Sequence, residues 1–274
     1  AFHVHVAQIM QLEGAQGTEL LLTGPDGCST IAIDSPRGVP EDLSGMAVQC
    51  FEPSLVWFLE ELKDNNNRQW FQANKERYER EVREPALAFI RKFAPRLRKI
   101  SPYFVASTER VGGSLMRVYR DTRFGQDKTP YKTNVGIQFR HEMGRDVHAP
   151  GFYLHIEPEE YYLALGVWRP DRDCLNQIRQ AILERPAQWR RAVRATGFQR
   201  LQFVLTGDSL KRPPRDCPAD HPLIEDLKRT DYVALRDLDE RAVLSADFLD
   251  CAAESFAAGR PLMRFLCAAL HVPF

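Results

Sequence analysis

"GFYLHIEPEEYYLALGVWRP", Gly151 to Pro170, is the stretch that decides the fold. Strand side chains point alternately to opposite faces. Phe152, Leu154 and Ile156 therefore share one face, and Tyr153, His155 and Glu157 share the other. The first set is core and the second is polar with aromatics. "EPEE" is a turn of hairpin length, and "YYLALGVWRP" supplies the returning strand. Upstream, "SLMRVYRDTRF" and "NVGIQFRH" carry the same strand character, which gives four strands of one antiparallel sheet.

On both sides of this block the period changes to that of a helix. Leu55, Phe58, Leu59 and Leu62 repeat at helical spacing, with Pro53 in the first turn. Asn65-Asn66-Asn67 ends that helix. A second follows from Arg68, with Phe71, Tyr78 and Val82 inside and the pairs Glu76–Arg80 and Glu79–Arg83 outside. Glu84-Pro85 reads as a boundary. Leu87, Ile90, Phe93 and Leu97 carry a third helix. After Asp171, a stripe of Leu175, Ile178, Ile182 and Leu183 restarts the helical pattern. Leu205 to Tyr232 is proline-rich and reads as irregular. A final helical pair breaks near Gly259-Arg260-Pro261. Helices, sheet, helices is the order of an α+β fold: a central antiparallel sheet flanked by N- and C-terminal helices.

Residues 1–45 differ from the rest. They hold one cation, Arg37, against the acids Glu13, Glu19, Asp26, Asp34, Glu41 and Asp42. They read either as an upstream or fused extension, with Met46 as the natural start, or as a small β unit on a main domain of 46–274. Across the chain 37 cations balance 37 acids, which argues against a polyelectrolyte partner for DNA or for an anionic membrane. No run approaches the length of a membrane span, and no signal-peptide pattern opens the sequence. The six cysteines are scattered with no CxxC, so reduced thiols and a cytoplasmic protein are expected.

The chemistry-bearing stretch is "RVYRDTRFGQDKTPYKT", Arg117 to Thr133. Arg117, Arg120, Arg123, Lys128 and Lys132 stand against only Asp121 and Asp127. Arginine forks match carboxylate and phosphate oxygens, and lysine adds a point charge. The three arginines cannot share one face of a regular strand. Either the strand ends near Asp121 and a loop carries the later cations over the sheet, or the cations split between faces. They serve an anion, or they are surface charges paired with nearby acids. Lys211, Arg212 and Arg215 could join them from a proline-rich loop.

On the sheet face, His155 and Glu157 are the acid/base candidates. Their H-x-E spacing also suits two metal ligands, with His141 or His148 as a third, but nothing in the spacing fixes such a set and no metal is assigned. Tyr153 and Trp168 are candidate pocket walls. Ser114, after Gly112-Gly113, is a nucleophile only if a base lies beside it. Phosphate-loop, dinucleotide, hydrolase-elbow and zinc-protease motifs are absent.

Long segments resemble Domain of Unknown Function 2461, a bacterial family of conserved hypothetical proteins. They are "FLEELKDNNNRQWFQANKERYEREVREPALAFI", "RVGGSLMRVYRDTRFGQDKTPYKTNVGIQFRH", "PGFYLHIEPEEYYLALGVWRP", "GDSLKRPPRDCPADHPLIEDLKR" and "PLMRFLCAAL". The resemblance covers about 51–274 and leaves out 1–45. It implies that Arg117, Arg120, Asp121, Arg123, Lys128, Pro130, Tyr131 and Lys132 form a family motif, which His155 and Glu157 also match. Many members carry a glycine-rich run on the last of these strands, where this chain has Gly166 alone. The family implies no particular reaction or cofactor.

The expectation is a small phosphate- or carboxylate-bearing ligand held on a sheet face. Arg117, Arg120, Asp121, Arg123, Lys128, Tyr131, Lys132 and Trp168 would bind it, and His155 and Glu157 would act if chemistry occurs. The rivals are a nucleic-acid binder using Arg68–Lys99 with the central basic loop, and an interaction protein whose charges pair internally.

Overall fold

The computed structural model describes residues 49–121, 128–144 and 149–274. The expectations about residues 1–45, Arg123 and His148 fall outside them. Helix α1 (Pro53–Asp64) buries Leu55, Phe58, Leu59 and Leu62, the stripe its spacing predicts. At the asparagine turn the side chain of Asn67 accepts from the backbone N–H of Trp70 at 2.9 Å, capping α2 (Arg68–Ala73).

The expected boundary at Glu84-Pro85 does not break the chain. Helix α3 (Lys75–Arg77) runs into a π-helical stretch, Tyr78–Arg83, and that runs directly into α4 (Glu84–Ile100). Pro85 lies in the first turn of α4, and the wide turns just before it absorb its missing donor. Arg83 pairs with Glu79 at 3.1 Å as expected, whereas Arg80 bonds Glu81 at 2.6 Å.

Among the described residues the sheet has six strands in the order β1-β2-β3-β4-β6-β5, and every pairing is antiparallel. The strands are β1 (Phe104–Val105), β2 (Val135–His141), β3 (Gly151–Glu157), β4 (Glu160–Val167), β5 (Val204–Thr206) and β6 (Tyr232–Leu238). Pro158-Glu159 alone joins β3 to β4, and Glu159 takes a positive φ of 72° to close the turn. Phe152 then stands opposite Leu165, Leu154 opposite Leu163, and Ile156 opposite Tyr161. This face meets α4 and two C-terminal helices, α5 (Phe248–Ala258) and α6 (Arg260–Ala269). Phe139 packs on Phe93 at 5.1 Å between ring centres, and Phe152 on Phe256 at 4.9 Å.

Two strand assignments from sequence are corrected. "SLMRVYRDTRF" is not a named strand of the sheet. Ser114 and Met116 pair with the outer edge of β2 through Gln138 N–H to Ser114 O, 2.8 Å, and Met116 N–H to Gly136 O, 2.9 Å. The chain then leaves the sheet, and Val118–Arg120 pairs with Pro130–Lys132 to form an arm. β1 holds the same edge of β2 at Arg140 and His141, and Pro130 has no N–H to extend a ladder. The stretch read as irregular also holds the last two residues of β5 and the first of β6. Asp231 is buried there, and it accepts from the backbone N–H groups of Arg169 at 2.7 Å and Asp208 at 3.1 Å. Lys211, Arg212 and Arg215 are exposed, in a segment tied to the β5–β6 end by the bridge Ser209–Arg229.

Gly166 serves the sheet and not a pocket. Its φ is +135°, and a Cβ there would lie 2.0 Å from the carbonyl oxygen of Tyr232 on the neighbouring strand. Gly166→Ala is therefore expected to cost about 1–3 kcal/mol in urea unfolding. An unchanged midpoint would show that the β4–β6 pairing can yield.

Candidate functional site

Because β3 alternates, Tyr153, His155 and Glu157 all point away from the helices that cover the core face. The register brings Gly136 of β2 opposite His155 on one side and Tyr162 of β4 opposite it on the other. His155 is only 8% exposed, so its ring nitrogens need partners inside the protein. Nδ1 lies 3.1 Å from the Tyr153 hydroxyl and 3.4 Å from the Asn134 amide nitrogen. Nε2 lies 3.2 Å from Glu157 Oε2. The Tyr162 ring stacks flat on the imidazole, 4.5 Å between centres and 5° between planes.

The other oxygen of Glu157 accepts from the Thr133 hydroxyl at 2.5 Å. The hydrogen bond from His155 holds the Glu157 carboxyl below the usual carboxylate range, with help from Thr133 and the charge of Lys63, against the opposing effect of burial. Burial pushes the Tyr153 and Tyr162 phenols upward, so both remain neutral donors. Gly136 makes room for this network. A Cβ there would stand 2.7 Å from the Tyr153 hydroxyl and 3.1 Å from Met116 Sδ.

Glu160 begins β4 directly opposite Glu157. One ligand atom from each of His155, Glu157 and Glu160 lies within 4.8 Å of the others. His141 does not join them. It is buried, its Nε2 bonds the Pro273 carbonyl at 2.8 Å, and its Nδ1 accepts from Met143 N–H at 3.2 Å.

The cation-bearing stretch meets this network at its end. Thr133 and Asn134 touch Glu157 and His155, and Lys132 precedes them. Lys132 is half-buried, Arg120 is half-buried, and Arg117 is exposed. Burial, and then the charges of Arg117 and Arg120, push the Lys132 ammonium below the ordinary lysine range. Lys132 and Asn134 also line a small cleft against Leu59, Tyr78, Val82 and Val118. Asp121 and Lys128 are exposed at the far end of the arm.

Tyr131 and Trp168 have other surroundings. The buried Tyr131 ring stacks on Phe71 at 4.0 Å. The side chain of Asn66 grips its backbone twice, accepting from Tyr131 N–H at 3.1 Å and donating to Tyr131 O at 2.9 Å. Trp168 lies past the other end of β4, and the Arg169 guanidinium covers its ring at 4.8 Å. Ser114 is also fully used: its hydroxyl donates to Val105 O at 3.2 Å and accepts from Ser107 N–H at 3.1 Å.

Sequence reasoning missed Thr133, Asn134, Glu160 and Tyr162. A two-residue hairpin turn predicts the last two, because it places Glu160 and Tyr162 opposite Glu157 and His155. Nothing in the sequence marks Thr133 or Asn134, which arrive through the path of the arm.

No curated protein matches the chain, and no solved structure matches it. The family model described as "Conserved hypothetical protein (DUF2461)" matches residues 54–265, from α1 into the last helix, Arg260–Ala269, and through the whole arm. The chain belongs to that family, Domain of Unknown Function 2461.

Proposed function

We propose that the protein binds a small phosphate- or carboxylate-bearing anion at Arg117, Arg120 and Lys132, beside the His155 network. The carrying observation is the state of Lys132. Lys132 is half-buried, and the charges of Arg117 and Arg120 act on it. An anion placed beside these three cations would favour the charged form of Lys132. His155 and Glu157 are the pair able to move a proton there, and Thr133 and Asn134 join them to Lys132.

The nucleic-acid reading has less support. Along Arg68–Lys99, Arg77 bonds Glu61 at 2.8 Å, Arg83 bonds Glu79 at 3.1 Å and Arg96 bonds Asp250 at 2.8 Å. Those three cations already have acidic partners.

Inorganic phosphate is expected to raise the melting temperature of the full chain, increasingly with the logarithm of its concentration above the dissociation constant. Lys132→Ala and Arg120→Ala should each reduce that rise while leaving the phosphate-free protein folded. An equal rise in both variants would reject the site.

The pH dependence has a definite sign. Burial and like charge favour neutral Lys132, so its proton leaves below the 10.5 of a free lysine side chain. Sulfate keeps a constant charge at alkaline pH, so loss of its binding there reports the protein. Its affinity should fall as pH rises, with a midpoint below 10.5 that is absent in Lys132→Ala. A flat profile in the wild-type protein would contradict the assignment.

A further inference from the structure

We propose that His155, Glu157 and Glu160 form a binding site for a divalent transition cation, with Glu160 completing a set that the strand face alone leaves at two. The donor atoms already converge within 4.8 Å, and His155 Nε2 and Glu157 Oε2 stand 3.2 Å apart. A cation between them replaces that hydrogen bond without moving either strand. One imidazole and two carboxylates suit manganese, iron or zinc and leave coordination positions open.

Three further features fit a ligand set. His155 and Glu157 each have an outer partner. Thr133 holds the second oxygen of Glu157, the Tyr153 hydroxyl meets Nδ1 of His155, and Tyr162 fixes the plane of the ring. Metal ligands are oriented in this way. Glu157 and Glu160 also face each other directly across the hairpin. Like charges in that position destabilise a strand pair, and Lys63 is the cation whose charge acts on Glu157. A bound cation offsets the repulsion more fully. Finally, the site is graded in exposure: His155 is buried, Glu157 is intermediate and Glu160 is exposed. An incoming ion meets a carboxylate first and has an open side toward solvent. This proposal does not depend on the anion reading, because no anion enters its test.

The test is a titration of the metal-free full chain with Mn2+ alone, following the electron paramagnetic resonance signal of the free ion. Manganese avoids the thiols that would compete for zinc. One Mn2+ per chain should bind. Thr133→Val, which frees one Glu157 oxygen, should weaken binding by about 10- to 100-fold. Glu160→Gln should weaken it at least as much, and the exposure of Glu160 makes loss of folding an unsuitable explanation once circular dichroism matches the parent. His155→Gln should abolish binding. Retention of the parental affinity in Glu160→Gln and Thr133→Val would overturn the proposal, as would an undiminished free-ion signal in the parent. The phosphate response of the parent protein is measured separately with the metal chelated, so the two readings fail independently.

Discussion

The structure depends on the register of the β3–β4 hairpin. Two residues, Pro158 and Glu159, make the whole connection, so the pairing of the two strands has little freedom to slide. A slip of one position would carry every side chain of a strand to the other face. Phe152, Leu154 and Ile156 would leave the helices, and His155 and Glu157 would enter an apolar core. The cost of burying a carboxylate without a partner holds the hairpin against that alternative. The core and the polar face are therefore fixed by one turn. The pairing of β2 and β6 on either side repeats the alternation outward.

Much of this was legible in the sequence, and the reason is periodicity. Phe152 to Glu157 alternates cleanly, and Leu55 to Leu62 repeats at helical spacing, so the α+β class and the helical segments before and after the sheet follow. The misreadings have physical causes. β5 is short, and β6 follows a proline-rich segment whose backbone is organised by the buried carboxylate of Asp231, a long-range effect with no local signal. Glu84-Pro85 is read as a break because proline normally ends a helix, but a π-helical stretch accommodates it. The arm looks like a strand locally and is denied a full place in the sheet by β1.

The candidate site was legible in part, along the same line. His155 and Glu157 show in the alternation because polar groups at core-strand spacing stand out. Their partners come from other segments, so only the three-dimensional path reveals them. Tyr131 shows the converse. It lies inside a conspicuous basic run, yet its ring packs on Phe71 and its backbone is held by Asn66. A residue in a functional-looking motif can be there to anchor the motif.

The grip of Asn66 on Tyr131 has a mechanical meaning. One amide side chain donates to and accepts from a backbone, as a neighbouring strand would. It thereby makes the loop between α1 and α2 a stand-in for a missing sheet neighbour. The arm is thus fastened to the helical layer by a clasp of one side chain and one stacked ring pair, while its root is fastened to β2. The clasp and the strand pairs of the central sheet are separate contacts, so the arm is joined to the helical layer and to the sheet by different means.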